Sequence, residues 1–400
     1  MVKLKPVFIF LIFIFFIFTS YTHCFELNDV YIERYYVGES KVFVIENSCL
    51  TLPSVGFVIN KGAKDESPQY YGITHLWEHL FFRNKIDNKS IKELLIGTQY
   101  NATTYNDYIA FYAVGEYERI LNTFLFSINN PNFDNEDLEI EKRVVITELA
   151  MKSLSMPNIF KVYTNPTGGT IRTVSNISYD VMVNFTKNIK QDDISFFIID
   201  KNRNLDFRIF SKFYGESPQK RDSFIISLKP LTDNEIYQNY IKFISHTYSI
   251  NFDISVNDDG IWLYIVSQSF IDEDLFLGDV VSYYIKYKIN NDIRFKEVLY
   301  NRFSINNLEA FIYPQKYEYG LVIIAQASKK IDYHQAYDLE KFIISEIGKI
   351  SYDEFYKIYY KMYLDLLTDF SDSWRFSQLI SFFVYYDKWN LLNYYIKGVL

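Results

Sequence analysis

Residues His75-Leu76-Trp77-Glu78-His79 bring two imidazoles and a carboxylate together in a chain of 400 residues that has only 5 histidines. On a helix, positions i and i+4 lie one above the other, so His75 and His79 point the same way. Two such imidazoles can hold one zinc ion at about 2.0–2.1 Å each. Glu78 falls on the same side, where it can hold a metal-bound water and take its proton. A catalytic zinc site needs a third protein ligand and leaves the fourth position to water, whose pKa falls to about 7. The pattern therefore predicts one Zn2+ per chain, with Glu78 as general base. Around it, Leu76, Trp77, Leu80, Phe81 and Phe82 supply apolar faces, Gly72 breaks the preceding segment and Thr74 is the expected N-cap.

The third ligand should be a carboxylate on a facing helix. Residues 134–152 read as that helix. They open on acidic side chains, which suit the positive end of a helix dipole. Leu138, Val144, Val145, Leu149 and Met151 recur at helical spacing. Glu136 and Glu139 read as solvated charge. Glu141 and Glu148 lie two turns apart on one face. Glu148 sits within the apolar run 144–150, and a carboxylate there needs a partner because burying an unpaired charge is costly.

Three blocks, in order, resemble the pitrilysin/insulinase-type zinc peptidases, which include the mitochondrial processing peptidases. They are Gly72-Ile-Thr-His-Leu-Trp-Glu-His-Leu-Phe-Phe82, Asn101-Ala-Thr-Thr104 through Phe111-Tyr112-Ala113, and Glu141-x-x-Val-Val-x-x-Glu148. The resemblance implies that His75, His79 and Glu148 hold the metal, that Glu78 is the base and that Glu141 supports catalysis from behind the ligands. It implies a substrate-binding edge strand carrying Asn101, Ala102, Thr104 and Phe111, to which an extended peptide adds through main-chain hydrogen bonds. In the second half, Arg302 and Phe311 approximately match residues that hold the substrate backbone in the family.

The implied fold class is α+β, with two similar lobes, each a mostly antiparallel sheet covered by helices. The implied activity is zinc-dependent endopeptidase action on peptides or unfolded proteins. A two-lobe chain closes a chamber only by pairing, so a homodimer or a heterodimer with a related subunit is expected. The family also has non-catalytic members, scaffolds or partner subunits that typically lose motif residues. This chain keeps them.

Residues 1–24 read as a signal peptide or N-terminal anchor. Lys3 and Lys5 precede an apolar run over 7–18, shorter than the ~20 residues of a membrane span and suited to a signal-peptide core. An exported protein is expected, in a periplasmic, extracellular or secretory-lumen setting, with membrane anchoring through residues 7–18 as the alternative to cleavage. Cys24 and Cys49 are the only cysteines, so no disulfide framework supports the fold. A net charge of −8 argues against nucleic acid as a partner.

The expected division is a catalytic lobe over 25–213, a polar linker with Gly and Pro over 214–223, and a second lobe over 224–400 that ends short of the family's usual final helix and strand. Ser178 is placed to cap a helix through Val183 and Phe185, followed by strands at 194–199 and 205–210. The second lobe reads as strands at 249–255, 261–266, 308–312 and 320–327, with helices at 275–289, 333–350 and 352–367.

Overall fold

The computed structural model describes residues 29–155, 168–202, 206–228, 231–247, 252–256, 260–267, 275–314 and 319–399. The expected signal segment, with Cys24, lies outside the described residues. Among the described residues, no helix is long and apolar enough to cross a membrane.

Seven strands form the first sheet: β1 (Val30–Val37), β2 (Ser40–Glu46), β3 (Ser54–Ile59), β4 (Gln99–Thr104), β5 (Ile109–Val114), β6 (Ile194–Asp200) and β7 (Gln219–Ile226). Their order is β4-β5-β3-β6-β2-β1-β7. Only the β2/β6 pair is parallel. β3 and β5 are buried along their whole length, so this sheet is covered on both faces. Alternation divides its side chains. Val42, Val55, Phe57, Phe111 and Phe196 face one layer of helices. Phe43, Ile45, Val58, Tyr112 and Phe197 face a second core that continues into the other half of the chain.

The first layer holds α1 (Ile73–Phe81), α2 (Tyr117–Asn129), α3 (Asn135–Ser155), α4 (Tyr179–Lys187) and α5 (Arg208–Tyr214). Ser178 caps α4 as expected, accepting from the Val181 N–H at 3.4 Å. Residues 205–210 were expected as a strand, but Arg208–Tyr214 is helical. Ile209 and Phe210 are the buried pair there, and adjacent apolar residues serve a helix as well as a strand.

The second sheet, β8 (Phe252–Val256), β9 (Trp262–Ser267), β10 (Ile305–Pro314) and β11 (Tyr319–Ala327), is antiparallel in the order β8-β9-β11-β10. Around it run α6 (Asp233–Thr247), α7 (Leu275–Asn291), α8 (Ile293–Phe303), α9 (Tyr333–Ile347) and α10 (Tyr352–Ser371), and the chain ends in α11 (Ser373–Tyr386) and α12 (Trp389–Val399). The architecture is the expected α+β arrangement of two mostly antiparallel sheets.

Two details of the expected division differ. Residues 219–223 of the expected linker begin β7, which pairs with β1 and completes the first sheet. The Gly215 turn, at φ 76°, merely connects α5 to it. The C-terminal helices also return to the first sheet. Ser377 donates to Ser54 Oγ at 2.7 Å, Ser373 to the Leu52 carbonyl at 2.7 Å, and the Asn47 amide to the Phe370 carbonyl at 2.9 Å. The Tyr108 and Tyr385 rings stack at 4.4 Å, and Trp389 lies 5.2 Å from Phe43. Residues 373–399 thus cover the face of the first sheet opposite α1.

Candidate metal centre

The site is built on α1, α3 and β4. α1 begins at Gly72, which has φ 96°, a left-handed conformation natural to glycine. A Cβ there would meet the Gly168 carbonyl oxygen at 2.4 Å, and one on Gly169 the Tyr71 carbonyl oxygen at 2.0 Å. Glycine at these positions lets the 168–169 turn lie directly against the start of α1.

The cap of α1 differs from expectation. Thr74 lies inside the helix, and Glu66 does the capping. Its buried carboxylate accepts from the N–H groups of Gly72 at 2.7 Å and Thr74 at 2.9 Å, and from the Thr74 hydroxyl at 2.5 Å. It satisfies amides that a helix start leaves without intrahelical partners. Burial raises the Glu66 pKa, and the hydrogen bonds from Thr74 and Gly72 oppose that rise.

His75 and His79 project from α1 toward α3. Glu148 meets both: its Oε2 is 3.6 Å from His75 Nε2 and its Oε1 is 3.7 Å from His79 Nε2. One ligand atom from each of the three residues lies within 4.8 Å of the others. Zinc bonds of about 2.0–2.2 Å in a tetrahedron separate ligand atoms by about 3.3–3.6 Å. Two imidazole nitrogens and a carboxylate oxygen at the observed spacing therefore fit zinc.

Behind the ligands, Glu141 Oε2 lies 3.1 Å from His79 Nδ1, and Arg83 Nε donates to Glu141 Oε1 at 2.5 Å. Lys92 Nζ is 3.8 Å from that same oxygen. Glu141 is only 2% exposed. Burial pushes its pKa up, but the hydrogen bonds to His79 and Arg83, with the Lys92 charge, outweigh this and bring it to about 2. A carboxylate there fixes the His79 proton on Nδ1 and leaves Nε2 turned to Glu148. Burial lowers the His79 pKa, but Glu141, Glu148 and Glu78 together outweigh it and raise the net value. A cation at the cluster would compete with a proton on Nε2, leaving the Nδ1 proton directed at Glu141.

Glu78 reaches the sheet. The Thr104 hydroxyl on β4 donates to Glu78 Oε2 at 2.5 Å. β4 is the outermost strand of the first sheet, hydrogen-bonded only to β5 within it, so its other edge offers main-chain groups beside Glu78.

The expected substrate residues separate. Tyr100, Ala102 and Thr104 occupy the α1 side of β4; the Tyr100 ring lies 5.2 Å from Phe82. Asn101 pairs directly with Tyr112, on the face that turns to Trp374 and away from the metal side chains. Phe111 is not at the surface: it is fully buried, stacked 4.6 Å from Phe57 and with the tilted Phe81 ring 4.5 Å away. A strand beneath a helix must fill that gap with side chains, so the aromatic serves the core. Arg302 is exposed at the end of α8, its guanidinium 4.9 Å over Phe303. On α3, Leu138 and Val145 are buried, whereas Val144 and Met151 are exposed.

Sequence reasoning missed Glu66, Arg83 and Lys92. Arg83 carried a signal, being four residues after His79. Glu66 carried none, because its capping reaches across a loop.

This arrangement defines a class: an α+β protein whose zinc-fitting cluster joins a helix bearing two histidines to a facing helix glutamate. Residues 42–167 match the model of the insulinase family, peptidase family M16, and this part of the chain is a pitrilysin/insulinase-type domain. The chain is 32% identical over 129 residues to the uncharacterized zinc protease YmxG of Bacillus subtilis, covering 30% of this chain and 31% of that protein. It is 31% identical over 119 residues to an uncharacterized zinc protease of Streptomyces coelicolor, covering 25% of each. The chain thus spans less than a third of either relative. Among solved structures, a protease from Helicobacter pylori shares the fold at a TM-score of 0.68 and 15% identity over 92% of both chains. A peptidase M16 inactive domain from Pseudomonas fluorescens does so at 0.63 and 12%, over 92% of this chain and 91% of that one.

Proposed function

We propose that this chain is a zinc-dependent endopeptidase acting on peptides or unfolded proteins laid along β4. The observation that carries the reading is the joining of Glu78 to Thr104 on the outermost strand, next to a three-residue set that fits zinc. A zinc ion held by His75, His79 and Glu148 would supply Lewis acidity and acidify a bound water. The chain's own groups do the rest. The open edge of β4 aligns an extended backbone through its N–H and C=O groups. Thr104 holds Glu78 in place. Glu78 takes a proton from the attacking water and returns it to the departing amine nitrogen.

Replacing Glu78 by Gln removes the base and leaves every metal ligand. Peptide cleavage should vanish while zinc stays bound. Persisting cleavage would remove Glu78 from its role.

A second reading is a non-catalytic scaffold or partner subunit. The observation that favours it is Arg302, which the resemblance placed on the substrate but which lies over the neighbouring Phe303 ring. Zinc content separates the two: a folded chain that takes up no zinc is the scaffold. The reading also includes export directed by residues 1–24 and pairing of two chains into a homodimer or heterodimer. Fractionation of cells and sedimentation of the purified protein test these.

A further inference from the structure

We propose that Arg83 is a positioning residue for the metal: it anchors Glu141, and through it fixes the ring of His79. The inference rests on the zinc-site reading above and adds a residue to it.

Three observations support it. Arg83 follows His79 by four residues, in the turn just past the last residue of α1. The Arg83 N–H closes the helix on the Leu80 carbonyl at 2.9 Å, so its backbone is fixed by α1 itself. The two oxygens of Glu141 are divided between them: Oε1 accepts from Arg83 at 2.5 Å, and Oε2 faces His79 at 3.1 Å.

The division matters because Glu141 comes from α3 and is almost fully buried. A buried carboxylate without a cation is costly and turns to whatever donor it finds. With Arg83 in place, one oxygen is held and the other has a single direction, toward His79 Nδ1. Lys92, 3.8 Å from Oε1 and less buried, adds charge from farther off. It cannot reproduce the hydrogen bond at that distance. Without Arg83, Glu141 can swing toward Lys92, and the imidazole loses its fixed orientation.

The test measures zinc affinity by chelator competition on the full chain, for wild type, Arg83→Met, Arg83→Lys and Glu148→Gln. Groups that orient a metal-bound histidine typically contribute 10–100-fold to metal affinity. Arg83→Met should bind zinc about tenfold more weakly, Arg83→Lys should recover most of the loss, and Glu148→Gln should lose the metal. Cobalt substitution adds a spectroscopic readout. The visible absorption bands of the Co2+ form should shift in Arg83→Met and return in Arg83→Lys, which a loss of overall stability would not produce. If Arg83→Met does not fold, Arg83→Gln takes its place. Wild-type affinity and spectrum in Arg83→Met, with metal lost in Glu148→Gln, would overturn the role of Arg83 and leave the zinc site standing. A wild-type chain that takes up no zinc would overturn both.

Discussion

The Thr104 hydroxyl donates to Glu78 at 2.5 Å, tying the outermost strand of the first sheet to the carboxylate between the two histidines. In the proposed reading, a substrate strand added to β4 is thereby held in fixed relation to Glu78 as the base. Positioning of this kind is where much of a catalytic rate resides.

Thr104→Val keeps the shape of the side chain and removes the donor. A hydrogen bond to a charged group contributes about 1.5–3 kcal/mol. Turnover of a quenched fluorescent peptide should therefore fall roughly 10–100-fold, with zinc content unchanged. A fall of less than about twofold would mean that this bond does not orient Glu78 during turnover.

Glu66 is the stability determinant of α1. Glu66→Ala leaves two helix-start amides and the Thr74 hydroxyl without their acceptor, at about 1–3 kcal/mol for each group that stays unsatisfied. A loss of about 2–4 kcal/mol in urea denaturation is expected. The pH dependence has a definite sign. Burial raises the folded-state pKa of Glu66 above its ordinary 4.5, so the folded chain keeps this proton where the unfolded chain has released it. The contribution is fully present below pH 4.5 and is lost as pH rises through the folded-state value. Stability of Glu66→Gln, which has no such proton, should lack this component. Identical pH profiles for the two proteins would contradict it.

Asp387 fastens the C-terminal helices to the first sheet. Its Oδ2 meets Arg34 Nη1 at 2.6 Å and Lys41 Nζ at 2.9 Å, and Arg34 also pairs with Asp222 on β7. Asp387 has φ 51°, which asparagine also tolerates, so Asp387→Asn isolates the charge. With the pair partly buried, the cost should be about 1–3 kcal/mol, between exposed and buried ion pairs. A thermal midpoint equal to wild type would show that the Asp387 charge is dispensable and that the aromatic contacts and the hydrogen bonds of Ser373 and Ser377 hold these helices.

Much of the site was legible in the chain. His75, Glu78 and His79 could be read because helical spacing is a local property. The facing helix announced itself by its acidic start, and the choice of Glu148 on it came through the family resemblance. The edge position of β4 came through the family resemblance. Phe111 went wrong because an aromatic in a strand has the same identity whether it faces a ligand or a helix. Residues 205–210 went wrong for a similar reason, since Ile209 and Phe210 satisfy both periodicities. The helices at Asp233–Thr247, Ile293–Phe303, Ser373–Tyr386 and Trp389–Val399 were missed. In Ile293–Phe303 the period was present, with Phe295, Leu299 and Phe303 buried four apart, and went unread.

By itself, then, the sequence determined which side chains are available for the proposed chemistry, two histidines and two glutamates at fitting spacing, and strands and helices in an order that gives two sheets. What the tertiary structure decided were the relations between segments far apart in the chain. Glu66 caps α1 across a loop, Arg83 and His79 share the two oxygens of a carboxylate from α3, and residues 373–399 return to seal the first sheet. Each depends on a buried polar or charged group finding its partner, and burial is settled only when the whole chain has packed.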